Sequence, residues 1–123
     1  MKIFGIDPSL SSTGWAVIEY NKNEEKNIVP PSGDKNLFND KNNYLPEVID
    51  KGLIKTDSDN KLTERNYNIY NNVEKLFKFY EPDIVSCEDQ YGHLNVGTLK
   101  KLSHVRGQMM TLSSIYNIPF YLF

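Results

Sequence analysis

Two acids are placed where chemistry is possible. Asp7 closes the apolar run Ile3-Phe4-Gly5-Ile6, and Glu88 closes Ile84-Val85-Ser86-Cys87. A short apolar run bounded by turn signals reads as a buried strand, so each acid falls at the C-terminal end of a strand. If those strands lie side by side and parallel, both carboxylates emerge at one edge of the sheet, in the crevice where open α/β sheets place their sites. Two carboxylates held close repel one another and raise a pKa unless a cation lies between them. Mg²⁺ takes oxygen ligands and keeps waters and phosphates in its shell. A site of this kind can bind two ions that stabilise the attacking and leaving oxygens at a phosphodiester. Spacing alone leaves the plainer alternative open, in which each acid is a solvated turn residue.

The elements that must position these acids are legible in outline. Residues 2–7 form the first strand, Pro8-Ser9 breaks it, and the small polar stretch 9–13 suits a tight loop. Gly14-Trp15-Ala16-Val17-Ile18 resumes a strand, so the pair reads as a hairpin. Gly52-Leu53-Ile54-Lys55-Thr56 is a third strand. Between them, about residues 21–51, lies a polar insertion rich in Asn, Lys, Asp and Glu that contains Pro30-Pro31-Ser32-Gly33. The composition of its stretch from Asn21 to about Tyr44 buries too little apolar surface to order firmly, which predicts an extended loop or mobile insertion.

Helical spacing of Ile69, Tyr70, Val73, Leu76, Phe77 and Tyr80 predicts a helix over 62–80, stopped by Glu81-Pro82-Asp83. After the strand that ends at Glu88, a second helix is predicted over about 95–116. Leu99, Leu102, Val105 or Arg106, Met109 and Leu112 mark its packed side. Pro119 to Phe123 opens a fifth strand. Three strands on short links predict an antiparallel meander, and strands separated by helices predict partners parallel to the first. Cys87 alternates away from Glu88 and reads as a small core residue.

Composition narrows the class without naming it. A chain of 123 residues suits one domain. Fourteen Lys and Arg against sixteen Asp and Glu give a formal net charge of −2. That balance does not announce a nucleic-acid enzyme, yet a local basic stripe binds phosphates on an acidic protein. One cysteine forbids an intrachain disulfide and fits a reducing compartment. The N-terminus, MKIFGIDPS, has no apolar run of signal-peptide length, and no stretch approaches a membrane span. A soluble cytoplasmic protein without a membrane partner is expected.

The residues in order resemble a known family. Ile6-Asp7-Pro8-Ser9, then Thr13-Gly14-Trp15-Ala16-Val17-Ile18, resemble the opening of RuvC-type Holliday junction resolvases, which read GIDPG, then TG and a short apolar run. Ile54-Lys55-Thr56 resembles that family's third strand. Leu62, Arg65, Ile69 and Tyr70 resemble its first helix, and Pro82-Asp83 its helix stop. Glu88 with Tyr91 and Asn95 resembles its E-x-x-aromatic-x-x-x-N stretch; Lys101-Leu102 and Arg106-Gly107 resemble its K-L-x-x-x-R-G helix, and Ile118-Pro119 the start of its fifth strand.

The resemblance implies an RNase H-like α/β fold: a mixed five-stranded sheet, a three-stranded meander plus parallel strands, flanked by helices. It implies a homodimeric endonuclease of DNA recombination and repair that cuts four-way, branched DNA with Mg²⁺, or with Mn²⁺ in its place. Asp7 and Glu88 would be the first two catalytic metal ligands. Ser9, Ser12, Thr13, Tyr91, Asn95, Lys100, Lys101 and Arg106 would contact DNA, Tyr91 by stacking on an unpaired base and the basic residues by phosphate contact. Each has a plain counterpart: hydroxyls that cap their own loop, a loop aromatic that caps the core, a solvated helix face.

Two features depart from the family pattern. The glycine after Asp-Pro is Ser9 here, and no acid follows Asp89, whereas the family carries further acids on a late helix beyond the fifth strand. A C-terminally truncated domain, weak in metal binding and slow or inactive alone, is therefore expected. A non-catalytic RNase H-like DNA-binding protein is one alternative. An actin-like phosphotransferase fragment is another; its second glycine-rich phosphate loop does not appear, the region of Gly92 and Gly97 being too sparse.

Overall fold

The computed structural model describes residues 1–22, 44–89 and 95–123. In chain order these form β1 (Lys2–Asp7), β2 (Ser12–Lys22), β3 (Tyr44–Lys55), α1 (Leu62–Tyr80), β4 (Ile84–Cys87), α2 (Val96–Ile115) and β5 (Phe120–Leu122). They build one five-stranded sheet in the order β3-β2-β1-β4-β5. The pairs β1–β2 and β2–β3 are antiparallel; β1–β4 and β4–β5 are parallel. This is the mixed meander-plus-parallel sheet expected. No helix among the described residues is long and apolar enough to cross a membrane.

Alternation along the strands decides which face is covered. Phe4 and Ile6 pair with Val17 and Trp15 on one side and with Val85 and Cys87 on the other, so all six side chains share a face. Both helices pack there. α1 contributes Ile69, Val73 and Phe77, and α2 contributes Val105, Met109 and Leu112, each at most 2 % exposed. The ring of Phe4 lies at its centre, stacked on Trp15 with centroids 5.9 Å apart and edge-on to Phe77 at 5.1 Å. α2 turns Val105 inward rather than Arg106, and Leu99 stays 40 % exposed at the helix's first turns.

The helix bounds follow local signals. α1 ends where Glu81, at φ 48°, takes the left-handed conformation and donates its amide to Phe77 O, with Pro82 behind it. α2 begins at Asn95, whose side chain accepts from the Thr98 amide at 2.8 Å.

One expectation needs correction. The segment 44–51, counted above in the polar insertion 21–51, is strand: β3 pairs with β2 from Tyr44 opposite Lys22 to Lys55 opposite Ser12, and β2 itself runs to Lys22. Composition misleads here because β3 is an edge strand. Glu47, Asp50 and Lys51 are exposed while their backbone pairs with β2, Asp50 accepting from the Tyr80 hydroxyl, and Pro46 is tolerated at an edge. The remainder of the predicted insertion, 23–43, lies outside the described residues.

Gly52 is matched to its neighbour. It sits opposite Trp15, and a Cβ there would stand 2.9 Å from the indole Cζ2. Gly52→Ala is therefore expected to destabilise by about 1–3 kcal/mol through overpacking. Trp15 is the single tryptophan, so urea unfolding followed by its fluorescence reads the change directly. An unshifted midpoint would show that the indole yields freely.

Candidate active site

The register of β1 and β4 is pinned at both ends. At the start, the Lys2 amide donates to Asp83 Oδ2 at 2.8 Å and the Asp83 amide to Lys2 O at 2.9 Å. At the finish, Ile6 lies opposite Cys87, and the Glu88 amide donates to Ile6 O at 2.9 Å. The next residues on each strand are Asp7 and Glu88. Alternation turns both away from the helix-covered face, since their predecessors Ile6 and Cys87 face the core. The two acids that the sequence singled out thus meet at one rim.

Their contact changes how they titrate. The Glu88 carboxyl is pushed above its ordinary 4.5, first by a hydrogen bond shared with Asp7, then by the Asp7 charge, then by burial. The two acids stand over an open depression of about 330 Å³ floored by Gly5, Gly14 and Ala16 and flanked by Phe123. A Cβ on Gly14 would lie 3.7 Å from the Asp7 Cβ, so the small floor keeps the acid clear. The donor set is hard oxygen, which suits a hard divalent cation over softer ions. Among the described residues no group of three or more His, Cys, Asp or Glu could hold a metal.

The turn after Asp7 is held from within. Thr13 is fully buried; its hydroxyl donates to Ser9 O at 2.5 Å and accepts from the Ser9 amide at 3.3 Å. The Ser12 amide donates to Ser9 Oγ at 3.5 Å. The expectation of a DNA contact at Thr13 is corrected: its hydroxyl staples the loop and reaches no surface. Behind the turn, Thr56 donates its hydroxyl to Leu10 O and its amide to Ser11 O, and Arg65 donates to Thr56 Oγ1 at 2.9 Å and to Ser11 Oγ at 3.2 Å. Sequence reading missed this network. The signal was present: Arg65 lies on the i, i+4 stripe of Ile69, Val73 and Phe77.

The other expected contacts divide. Arg106 forms an ion pair with Asp89, next to Glu88, so its guanidinium is engaged within the protein. Asn95 is spent as the α2 cap. Lys100 and Lys101 are exposed on α2. Tyr91 lies outside the described residues. Asp89 also donates its amide to Phe123 O at 2.8 Å, fastening β5 beside the rim. Cys87 is a core thiol, pushed up to about 11 chiefly by burial, and so stays protonated.

The raised Glu88 pKa carries a stability consequence. The fold holds this proton more tightly than the unfolded chain, so the stability this group contributes is present below about 4.5 and is lost as pH rises through the raised value. Removing the repulsion should reverse that decline. Asp7→Asn is expected to raise the metal-free melting temperature at pH 7 and to leave it unchanged at pH 3, by differential scanning calorimetry. Equal melting temperatures at both pH values would contradict a coupled pair.

Comparison with known proteins agrees with this geometry. A family profile described as crossover junction endodeoxyribonuclease RuvC matches residues 38–121, more than half of the chain. The protein of that name from Orientia tsutsugamushi strain Ikeda is 36 % identical over 120 residues, which is 98 % of this chain and 62 % of the relative. That from Alkaliphilus metalliredigens is 29 % identical over 121 residues, 98 % of this chain and 61 % of the relative. The chain thus spans less than two thirds of the curated relatives it matches. Among solved structures, Thermus thermophilus RuvC in complex with a Holliday junction substrate superposes with a TM-score of 0.78 at 16 % identity, covering all of this chain and 65 % of the other. Fowlpox virus resolvase with Holliday junction DNA gives 0.54 at 15 % identity, covering all of this chain and 60 % of the other. Sheet order and both helices are shared with a resolvase, and the matched profile spans α1, β4 and α2: the chain belongs to the RuvC family of crossover junction endodeoxyribonucleases.

Proposed function

We propose that this chain carries the sheet-borne half of the active site of a structure-selective DNA endonuclease, which hydrolyses phosphodiesters in four-way junctions during recombination and repair. The observation that supports this most is the convergence of Asp7 and Glu88 over an open, glycine-floored depression. Cytoplasmic location and a homodimer, one protomer for each of two symmetric cuts, belong to the same reading.

Asp7 and Glu88 would hold Mg²⁺, with Mn²⁺ as its substitute. Bound there, a divalent cation supplies electrophilic polarisation of the phosphodiester. The chain's own residues do the rest of the positioning. The proton that Glu88 holds more tightly beside Asp7 would leave as the cation is taken up, so affinity rises with pH. The small residues at positions 5, 14 and 16 let a sugar-phosphate strand approach the acids closely. Lys100 and Lys101 offer sequence-independent phosphate contacts. Ser9 and Ser12 border the strand's path, and Tyr91 stacks on an exposed base.

Two carboxylates at the rim bind an ion less firmly than a full acidic set. The chain is expected to retard a four-way junction more than a linear duplex of the same sequence in a gel-shift assay, and to cut it slowly. Asp7→Asn should leave that retardation intact while removing both the cutting and the rise in melting temperature caused by Mg²⁺. Undiminished cutting by the variant would take Asp7 out of the mechanism.

A further inference from the structure

Arg65 is placed against ordinary packing rules. It lies on the apolar stripe of α1 and is only 8 % exposed. Its hydrogen bonds nevertheless go to neutral hydroxyls, Thr56 Oγ1 and Ser11 Oγ. The ion pairs among the described residues are Lys78–Glu74 and Arg106–Asp89, so no described carboxylate balances this guanidinium. A buried cation without a counter-charge is costly, and a strut between two hydroxyls does not require one.

The two hydroxyls differ in what remains to them. Thr56 accepts from Arg65 and donates to Leu10 O, so its hydrogen is spent. Ser11 accepts from Arg65, so its own hydroxyl hydrogen must point away from the guanidinium. Among the described residues that hydrogen has no acceptor, and Ser11 is exposed. The turn therefore presents to solvent a hydroxyl donor polarised by a cation directly behind it, on the turn that leaves Asp7. Such a donor is strengthened by the charge in series with it.

We propose that Ser11, backed by Arg65, is a contact for a non-bridging phosphate oxygen of the nucleic-acid backbone, seating the strand beside Asp7. The proposal rests on the rim being a DNA-cutting site. The oxygen completes the set that Arg65 lacks: a negative charge reached through one hydroxyl. Neither residue was expected to touch DNA; of those that were in this turn, Thr13 is buried and Ser9 bonds inward through its amide, carbonyl and hydroxyl oxygen.

The test uses the full chain labelled with ¹⁵N, titrated first with a four-way DNA junction without metal and then with inorganic phosphate. Junction binding should move the Ser11 amide and the Arg65 Nε resonances. Ser11→Ala takes one acceptor from the Arg65 guanidinium, so it should lower the melting temperature slightly, and it should weaken junction binding about tenfold, the loss of one charge-assisted hydrogen bond. Ser11→Thr, which keeps the hydroxyl, should restore it; a residue that only braces the turn would leave the Arg65 Nε signal unmoved when the junction binds. If inorganic phosphate moves both resonances while the junction does not bind, the anion contact stands and the nuclease reading falls. If the junction binds Ser11→Ala as tightly as the original chain, with the Arg65 Nε signal unmoved, the contact is wrong and the nuclease reading survives. If neither probe binds, both fall.

Discussion

Placing two like charges side by side at a sheet edge is unfavourable, and the parallel pairing of β1 with β4 imposes it. The exchange of bonds between Lys2 and Asp83 at one end, and the Glu88 amide on Ile6 O at the other, leave no freedom to slip. A slip of one residue would send every side chain of β4 to the opposite face, turning Val85 and Cys87 out of the core and Glu88 into it. Hydrophobic burial behind the sheet thus enforces the electrostatic conflict in front of it. Phe4, Ile6, Val85 and Cys87 are all at most 3 % exposed, and removing a buried aliphatic or aromatic side chain of this kind costs about 2–5 kcal/mol. The packing is the stronger term, so the repulsion persists in the folded chain, available for a cation to relieve.

The same logic extends to the turn that follows Asp7. Its backbone is fixed by hydroxyls and amides, through Thr13, Ser9, Thr56 and Ser11, as well as by the buried side chains of Pro8 and Leu10. A turn held this way can approach a charged strand closely without burying an unsatisfied group. The aromatic lock of Trp15 over Gly52 fixes β3 against β2 on the core side, while the glycines on the opposite side leave the depression open. One sheet therefore does two jobs: its covered face resists change, and its other face offers room beside two acids.

Much of this was legible in the residues. The order of elements, the bounds of α1 and the placement of Asp7 and Glu88 at strand ends follow from periodicity and turn signals that act locally. β3 was not legible beyond its last four residues, because its pairing with β2 is non-local and its exposed polar side chains resemble a loop. Arg65 was read as a family match and not as a core position, since a charged side chain breaks the apolar pattern that marks a helix face. Arg106 looked like a phosphate ligand because Asp89, its partner, lies seventeen residues away and only the fold brings them together. Thr13 looked available because sequence does not reveal that its side chain turns inward with Val17 and Ile54.

The coupling between Asp7 and Glu88 is the central physical claim, and it is open to direct observation. Carboxyl ¹³C chemical shifts of Glu88, followed against pH in the metal-free chain and in Asp7→Asn, report the charge of that one group. Glu88 should titrate above 4.5 in the original chain and return towards that value when Asp7 loses its charge, with Mg²⁺ lowering the midpoint only where Asp7 is intact. A Glu88 midpoint at 4.5 that ignores both the substitution and the cation would contradict the account.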